Sequence, residues 1–252
     1  MRLAALVALL SLLTACAGTG VYVMHGNNED RRGPLERAAQ AGDVSEIKRL
    51  LASGADPNEP KSIFGSPLNF AAMRSDNSEI IRLLLAAGAN PNGRGEEGAS
   101  CWLPPLWTAA SWGDIENTRT LLEGGASIKP SKCSRLAIGW LKTPIVDLLI
   151  QHGLNLHDVD ESGRNQLHLA LAPPVVPPLE GIEYLVHSGV PLNARDRAGK
   201  TPLAYWREPR DYETRWFTTW VFDRLSGDSA TGTQRENRAK ISAFLQRSGA
   251  LP

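Results

Sequence analysis

The chain has 252 residues, 42% of them hydrophobic, and its 27 lysines and arginines balance its 27 aspartates and glutamates for a net charge of zero. That length holds one or two domains. A neutral chain with no basic stripe interleaved with aromatics gives no electrostatic ground for a nucleic-acid partner. At the N-terminus, Arg2 precedes an apolar run over 3–13 that is too short to span a bilayer comfortably and reads as the hydrophobic core of a signal peptide. Residues 17–33, rich in Gly, Asn and charge, read as a flexible tether.

A pattern then sets in that returns down the chain. In 34–58, Pro34 and Leu35 open a short helix, Ala38 and Ala39 are small enough to admit a neighbouring helix, and Gly42 and Asp43 turn the chain. Asp43 and Glu46 have capping-box spacing. Val44, Ile47, Leu50 and Leu51 form the inward stripe of a second helix, with Glu46, Lys48 and Arg49 outward. Residues 67–92 repeat the order: Pro67 and Leu68, the small Ala71 and Ala72, then Asp76 and Glu79 as a second expected capping box. Ile80, Ile81, Leu83, Leu84 and Leu85 form the apolar run, and Gly88 stands where the helix must end in a left-handed conformation.

A long glycine-rich finger over 93–104 leads to a third copy, marked by Pro105, Leu106, Ala109, Ala110, Gly113, Asp114, Leu121, Leu122 and Gly125. A weaker fourth carries Ala137 and Ile138, then Thr143 as N-cap with Pro144 in the first turn, and ends at Gly153. In the fifth, Gln166, Leu167, Ala170 and Leu171 are followed by Pro173, Pro174, Pro177 and Pro178, which end the first helix early. A sixth opens with Thr201, Pro202, Leu203 and Ala204 and is split by an insertion over 207–234. The insertion places Trp216, Trp220 and Asp223 at helical spacing, continues as a polar loop over 227–233, and gives way to a closing helix over 238–247. A helix–turn–helix–loop unit of this kind cannot bury its own apolar face and requires neighbours.

Read from the closing glycines, the period scatters around the ~33 residues of an ankyrin repeat. The chain resembles the ankyrin family. Asp196, Gly199, Thr201, Pro202 and Leu203 match its hairpin-and-helix signature almost letter for letter, and Asp160, Gly163 and Leu167 match it loosely. The resemblance runs from about Gly33 to the C-terminus. It implies an all-α ankyrin-repeat solenoid of about six helix–turn–helix repeats over 34–252, a single quasi-linear array and a monomer. It also implies a concave groove and finger tips that bind another protein. On that alignment Trp112 faces the groove, at the position held elsewhere by Ala41, Arg74, Trp140 and Pro173. Arg74, Trp112 and Trp140, with Trp102 overhanging from the finger, form the candidate partner-binding patch, since tryptophan is enriched at interface hot spots. The alternative is local packing between finger and helix. For Trp216 and Trp220 the alternative is capping of the array's end. Trp107 and His168 occupy a first-helix slot that the family often gives to histidine for packing and hydrogen bonding.

The segment Leu13, Thr14, Ala15, Cys16 resembles the bacterial lipobox, in which the cysteine is lipidated and becomes the first mature residue. The alternative is an ordinary signal peptide cleaved after Ala15 or Ala17. The lipobox implies a signal peptide over 1–15, a tether over 16–33 and membrane attachment through lipid on Cys16. Ala17 after the cysteine, in place of the aspartate that retains lipoproteins in the inner membrane, implies the outer membrane facing the periplasm. In an oxidising periplasm the remaining pair, Cys101 and Cys133, is either a disulfide or two unpaired thiols.

Of catalytic patterns, GxxxxGK[ST], HExxH, GxSxG and a CxxC pair are all missing from the sequence. His25, His152, His157, His168 and His187 are scattered, and Asp158, Asp160 and Glu161 lack the further ligands of a calcium loop. No enzyme activity, cofactor or metal is expected. The resemblance implies an envelope-anchored protein binder. Related envelope ankyrin proteins accompany secreted toxins or a periplasmic catalase, so the expectation is an immunity protein against a periplasm-acting toxin, or else a scaffold or maturation factor for a periplasmic enzyme. Arg207, Arg210, Arg215 and Arg224 near Trp216 and Trp220 motivate a third expectation, lipid handling in the envelope.

Overall fold

The structure, a computed structural model, describes residues 32–59, 65–93, 104–128, 142–172, 176–207 and 230–251, with side chains from 236 in the last segment. Its helices are α1 (Pro34–Ala41), α2 (Val44–Ala52), α3 (Pro67–Ala72), α4 (Ser78–Ala86), α5 (Pro105–Trp112), α6 (Ile115–Glu123), α7 (Thr143–Gln151), α8 (Gln166–Leu171), α9 (Leu179–His187), α10 (Pro202–Arg207) and α11 (Ala230–Arg247). Among the described residues no helix is long and apolar enough to cross a membrane. The described residues divide into two compact units, an N-terminal one over 32–128 with Gln151–Gly153 and a C-terminal one over 142–150 and 154–251.

In the N-terminal unit α1/α2, α3/α4 and α5/α6 are three successive hairpins. The first helices α1, α3 and α5 stack in one row, and the second helices α2, α4 and α6 in another. In the C-terminal unit α8/α9 and α10/α11 form two hairpins stacked in the same way, first helix on first and second on second. α7 is a second helix, joined to α9 where the Tyr184 hydroxyl donates to Asp147 Oδ1. Residues 129–141, where the repeat pattern predicts the partner of α7, lie outside the described residues, as do the insertion with Trp216 and Trp220 and residues 173–175.

The first helices start by a common device. Pro34, Pro67, Pro105 and Pro202 take the first helical position, where a missing N–H costs nothing. The third helical residue then reaches back to the amide before the helix. Glu36 Oε2 accepts from Gly33 N–H at 2.6 Å, Asn69 Oδ1 from Ser66 N–H at 3.2 Å, and His168 Nδ1 from Asn165 N–H at 3.2 Å. Trp107 holds the same place in α5 and has no acceptor to offer. None is needed, because the residue before α5 is Pro104, which has no N–H. Trp107 is instead fully buried.

The capping boxes thus sit on first helices, whereas the spacing predicts them on second helices. Asp43 does accept from Glu46 N–H, but Glu46 turns outward to Arg49 rather than back to the cap. In the second hairpin Asn77, not Asp76, precedes the helix, and its side chain makes no cap bond. Thr143 is the first residue of α7 rather than its cap. α11 begins at Ala230, so 230–233 is helix where a polar loop is expected.

Each unit has its own apolar core. Ile47, Leu68, Ile80, Ile81, Leu84, Leu106, Leu121, Ile145, Leu149, Leu167 and Ile182 are fully buried. Ala39, Ala71, Ala109 and Ala170 are buried too, which lets the first helices approach closely. Gly88 is left-handed at φ 89°, as expected, and the helix carbonyls before it are closed by the Gly88 and Ala89 amides.

Candidate partner-binding site

In the N-terminal unit a buried amide network ties the turns of successive hairpins together. Asn77, 4% exposed, donates from Nδ2 to Ala39 O in the first hairpin and Ala71 O in the second, each at 3.1 Å. Its own N–H donates to Asn117 Oδ1 of the third hairpin at 3.2 Å, and Asn117 Nδ2 donates back to Arg74 O at 2.7 Å. Asp114 caps α6 by accepting from Asn117 N–H at 2.8 Å, while its other oxygen accepts from Asp76 N–H at 2.9 Å. The backbone of 74–77 is therefore pinned on both sides. Loop carbonyls and amides that would otherwise be buried without partners are satisfied by side-chain amides.

On that rigid frame stands a turn three residues longer than its counterparts. α1 and α5 each pass through one glycine, Gly42 or Gly113, into the capping aspartate, and both glycines are left-handed. α3 instead ends at Ala72, and Met73, Arg74, Ser75 and Asp76 intervene before Asn77. Arg74 is exposed and lies across Gly42: a Cβ on Gly42 would fall 2.5 Å from Arg74 Nε. Its guanidinium makes no ion pair among the described residues. Asp76 is exposed as well. Trp112, the last residue of α5, is half-buried, with its indole N–H turned inward and without a partner. Arg74 and Trp112 thus stand on adjacent hairpins, the first exposed and the second half-buried. Cys16, Cys101, Trp102, Cys133 and Trp140 lie outside the described residues.

The C-terminal unit carries two stacked finger turns. Asp160 accepts from the Ser162 and Arg164 amides and from Arg164 Nε; Asp196 accepts from the Ala198 and Lys200 amides and from the Tyr205 hydroxyl. Arg197 N–H donates to Ser162 O, which joins the fingers. Burial pushes both carboxyls up, but these donors outweigh it and hold each below the usual carboxylate range. The acidic finger residue Asp160 is therefore spent on its own turn and on Arg164. His168, fully buried, sits between Asn165 and Lys200 O, with Nε2 at 3.0 Å from that carbonyl. Burial is the main cause that lowers its pKa; Nδ1 lies 2.7 Å from Asn165 Oδ1 and 3.2 Å from the Asn165 amide nitrogen, so both ring nitrogens are held by the fold. Val159, 61% exposed, stands beside Asp158 at the tip of the first of these fingers.

A recurrent fork links the loops. Asn58 Nδ2 donates to Gly88 O at 2.8 Å while Asn58 Oδ1 accepts from Asn90 N–H at 2.7 Å. Asn193 repeats both bonds with Gly249 O and Leu251 N–H. Asn92 takes the Ser127 amide in the same way.

The family model "Ankyrin repeats (3 copies)" matches residues 25–132. Rat cyclin-dependent kinase 4 inhibitor B is 30% identical over 124 residues, 47% of this chain and 82% of that protein. This chain belongs to the ankyrin-repeat family. Human mitochondrial disaggregase is 30% identical over 207 residues, which span 78% of this chain but only 28% of that protein. Among solved structures, the fold resembles a chain of the complex between a predatory endopeptidase of Bdellovibrio bacteriovorus and an immunity protein. The TM-score is 0.54 at 17% identity, covering 76% of this chain and 97% of that one. The architecture is the ankyrin-repeat solenoid, and its coarse function is that of an ankyrin-repeat protein-binding module.

Proposed function

We propose that this ankyrin-repeat chain is a non-enzymatic inhibitor tethered in the bacterial envelope, an immunity protein that occludes a toxin acting in the periplasm. The observation that carries the binding role is the lengthened turn of the second hairpin. It presents Arg74 and Asp76, both exposed, on a backbone fixed from two sides by Asn117 and Asp114. A rigid rim loses little conformational entropy when a partner docks, and arginine and tryptophan are the side chains that most often dominate such contacts. The Leu13, Thr14, Ala15, Cys16 segment supports the tether, and an acylated cysteine supplies more than the two anchoring signals that stable attachment requires. The fold likeness to a chain of an endopeptidase–immunity protein complex supports the choice of immunity over scaffolding.

Two measurements test this. Cys16→Ser is expected to move the chain from the membrane fraction to the soluble periplasm and to abolish labelling by palmitate. Arg74→Ala and Trp112→Ala, each folded by circular dichroism, are expected to deplete one protein from pull-downs of envelope extract. Unchanged recovery of every partner with both variants refutes the rim.

A further inference from the structure

Asn58, Asn92 and Asn193 grip the loops that follow them, but they are not held alike. Asn58 and Asn193 use both ends of the side-chain amide: Nδ2 donates to Gly88 O or Gly249 O, and Oδ1 accepts from the Asn90 or Leu251 N–H. Asn92 uses one end. Its Oδ1 accepts from Ser127 N–H at 2.7 Å, and its Nδ2 has no hydrogen bond among the described residues. Asn92 is also the one asparagine in the chain that a glycine follows; Asn58 precedes Glu59 and Asn193 precedes Ala194. Glycine brings no Cβ to shield its nitrogen. Gly93 lies at φ 70° in a turn closed by its own N–H on Asn90 O at 2.9 Å.

We propose that Asn92 is a site of spontaneous covalent modification, with water as the co-reactant, and that the change releases the joint between the loops of the second and third hairpins. When the bond from Gly93 to Asn90 opens, the Gly93 nitrogen gives its proton to hydroxide and attacks Asn92 Cγ. The Cγ–Nδ2 bond then breaks, and Nδ2 leaves as ammonia with a proton from water. Ser127 N–H already donates to the oxygen on which negative charge develops, so a donor for the tetrahedral intermediate is in place. At Asn58 and Asn193 the departing nitrogen is held by a carbonyl instead. Water opens the resulting five-membered imide at either carbonyl, which gives aspartate or isoaspartate. Aspartate keeps an acceptor for Ser127 N–H. Isoaspartate routes the main chain through the former side chain, lengthens it by one methylene and carries the acceptor away from Ser127.

The full chain in detergent micelles is held at mildly alkaline pH for days and sampled by peptide mapping with electron-transfer fragmentation, which separates aspartate from isoaspartate. Asn92 is expected to show the mass gain of exchanging NH2 for OH at least tenfold faster than Asn58 or Asn193. Hydrogen exchange at the Ser127 amide is then compared among the parent, the isolated isoaspartate form and Asn92→Asp. The isoaspartate form is expected to exchange at least tenfold faster than the parent, and Asn92→Asp within twofold of it. An Asn92 that stays intact, or that converts no faster than Asn58 and Asn193, overturns the modification site. An isoaspartate form whose Ser127 amide exchanges at the parent's rate overturns the release of the joint.

Discussion

Asn117→Ala removes a side chain that is fully buried and bridges two hairpins. Two bonds go with it: the donation to Arg74 O at 2.7 Å and the acceptance from Asn77 N–H at 3.2 Å. The Asn77 amide is left buried without an acceptor, which costs about 1–3 kcal/mol, and the partly buried Arg74 carbonyl adds about 1 kcal/mol. The expected loss is therefore about 2–4 kcal/mol. Asn58→Ala is the matched control, because it too severs one donation and one acceptance, to Gly88 O and from Asn90 N–H. Those groups are exposed, so water replaces the side chain and the loss stays below about 1 kcal/mol. Urea unfolding followed by far-ultraviolet circular dichroism separates the two. With a slope of about 1–3 kcal/mol/M, Asn117→Ala lowers the midpoint by about 1–2 M and Asn58→Ala by a few tenths. Equal shifts for the two variants, or a loss below 1 kcal/mol for Asn117→Ala, refute the claim that burial decides the value of these amides.

Further predictions concern charge and backbone. Burial lowers the His168 pKa, so the unfolded ring takes up a proton near its ordinary value of about 6.5 while the folded ring resists until lower pH. Stability is complete above about pH 6.5 and falls as pH drops toward the folded value; the urea midpoint declines from pH 7.5 to 5.5 in the parent chain and declines less in His168→Gln. Burial, reinforced by Asp147, pushes the Tyr184 hydroxyl up to about 12. The stability this adds is full below about pH 10 and is lost progressively as pH rises from there through about 12; a tyrosinate absorbance step above pH 11 that vanishes in Tyr184→Phe checks it. Gly113→Ala forces a Cβ onto a left-handed backbone at φ 75° and is expected to cost about 1 kcal/mol in the same urea assay.

The repeat pattern was legible because each hairpin spends its leucines, alanines and closing glycine in fixed places. Leu68, Ala71, Ile80, Leu84 and Gly88 all do what their spacing predicts. The spacing rule points to the wrong helices because Asp43 and Glu46 satisfy it, while the Glu46 carboxylate is taken by Arg49. The true reciprocal caps use Glu36, Asn69 and His168, three residue types in one slot, so no single letter announces them. At the candidate site Arg74 was legible by alignment with Trp112. Asp76 was not: in sequence it looks like a cap, and only its backbone angle shows that Asn77 has taken that place. The tie from Asn117 to Arg74 joins residues 43 apart in sequence and follows no periodicity along one helix.

The asparagine fork has a consequence for how such arrays change. Asn58 and Asn193 grip the peptide groups of the following loop and ignore its side chains. A neighbour can therefore exchange nearly every letter it exposes and still be held at the same joint. Whole hairpins can be gained, lost or transplanted as long as the asparagine and the glycine it meets travel with them, which leaves the outer edge free to diversify against new targets.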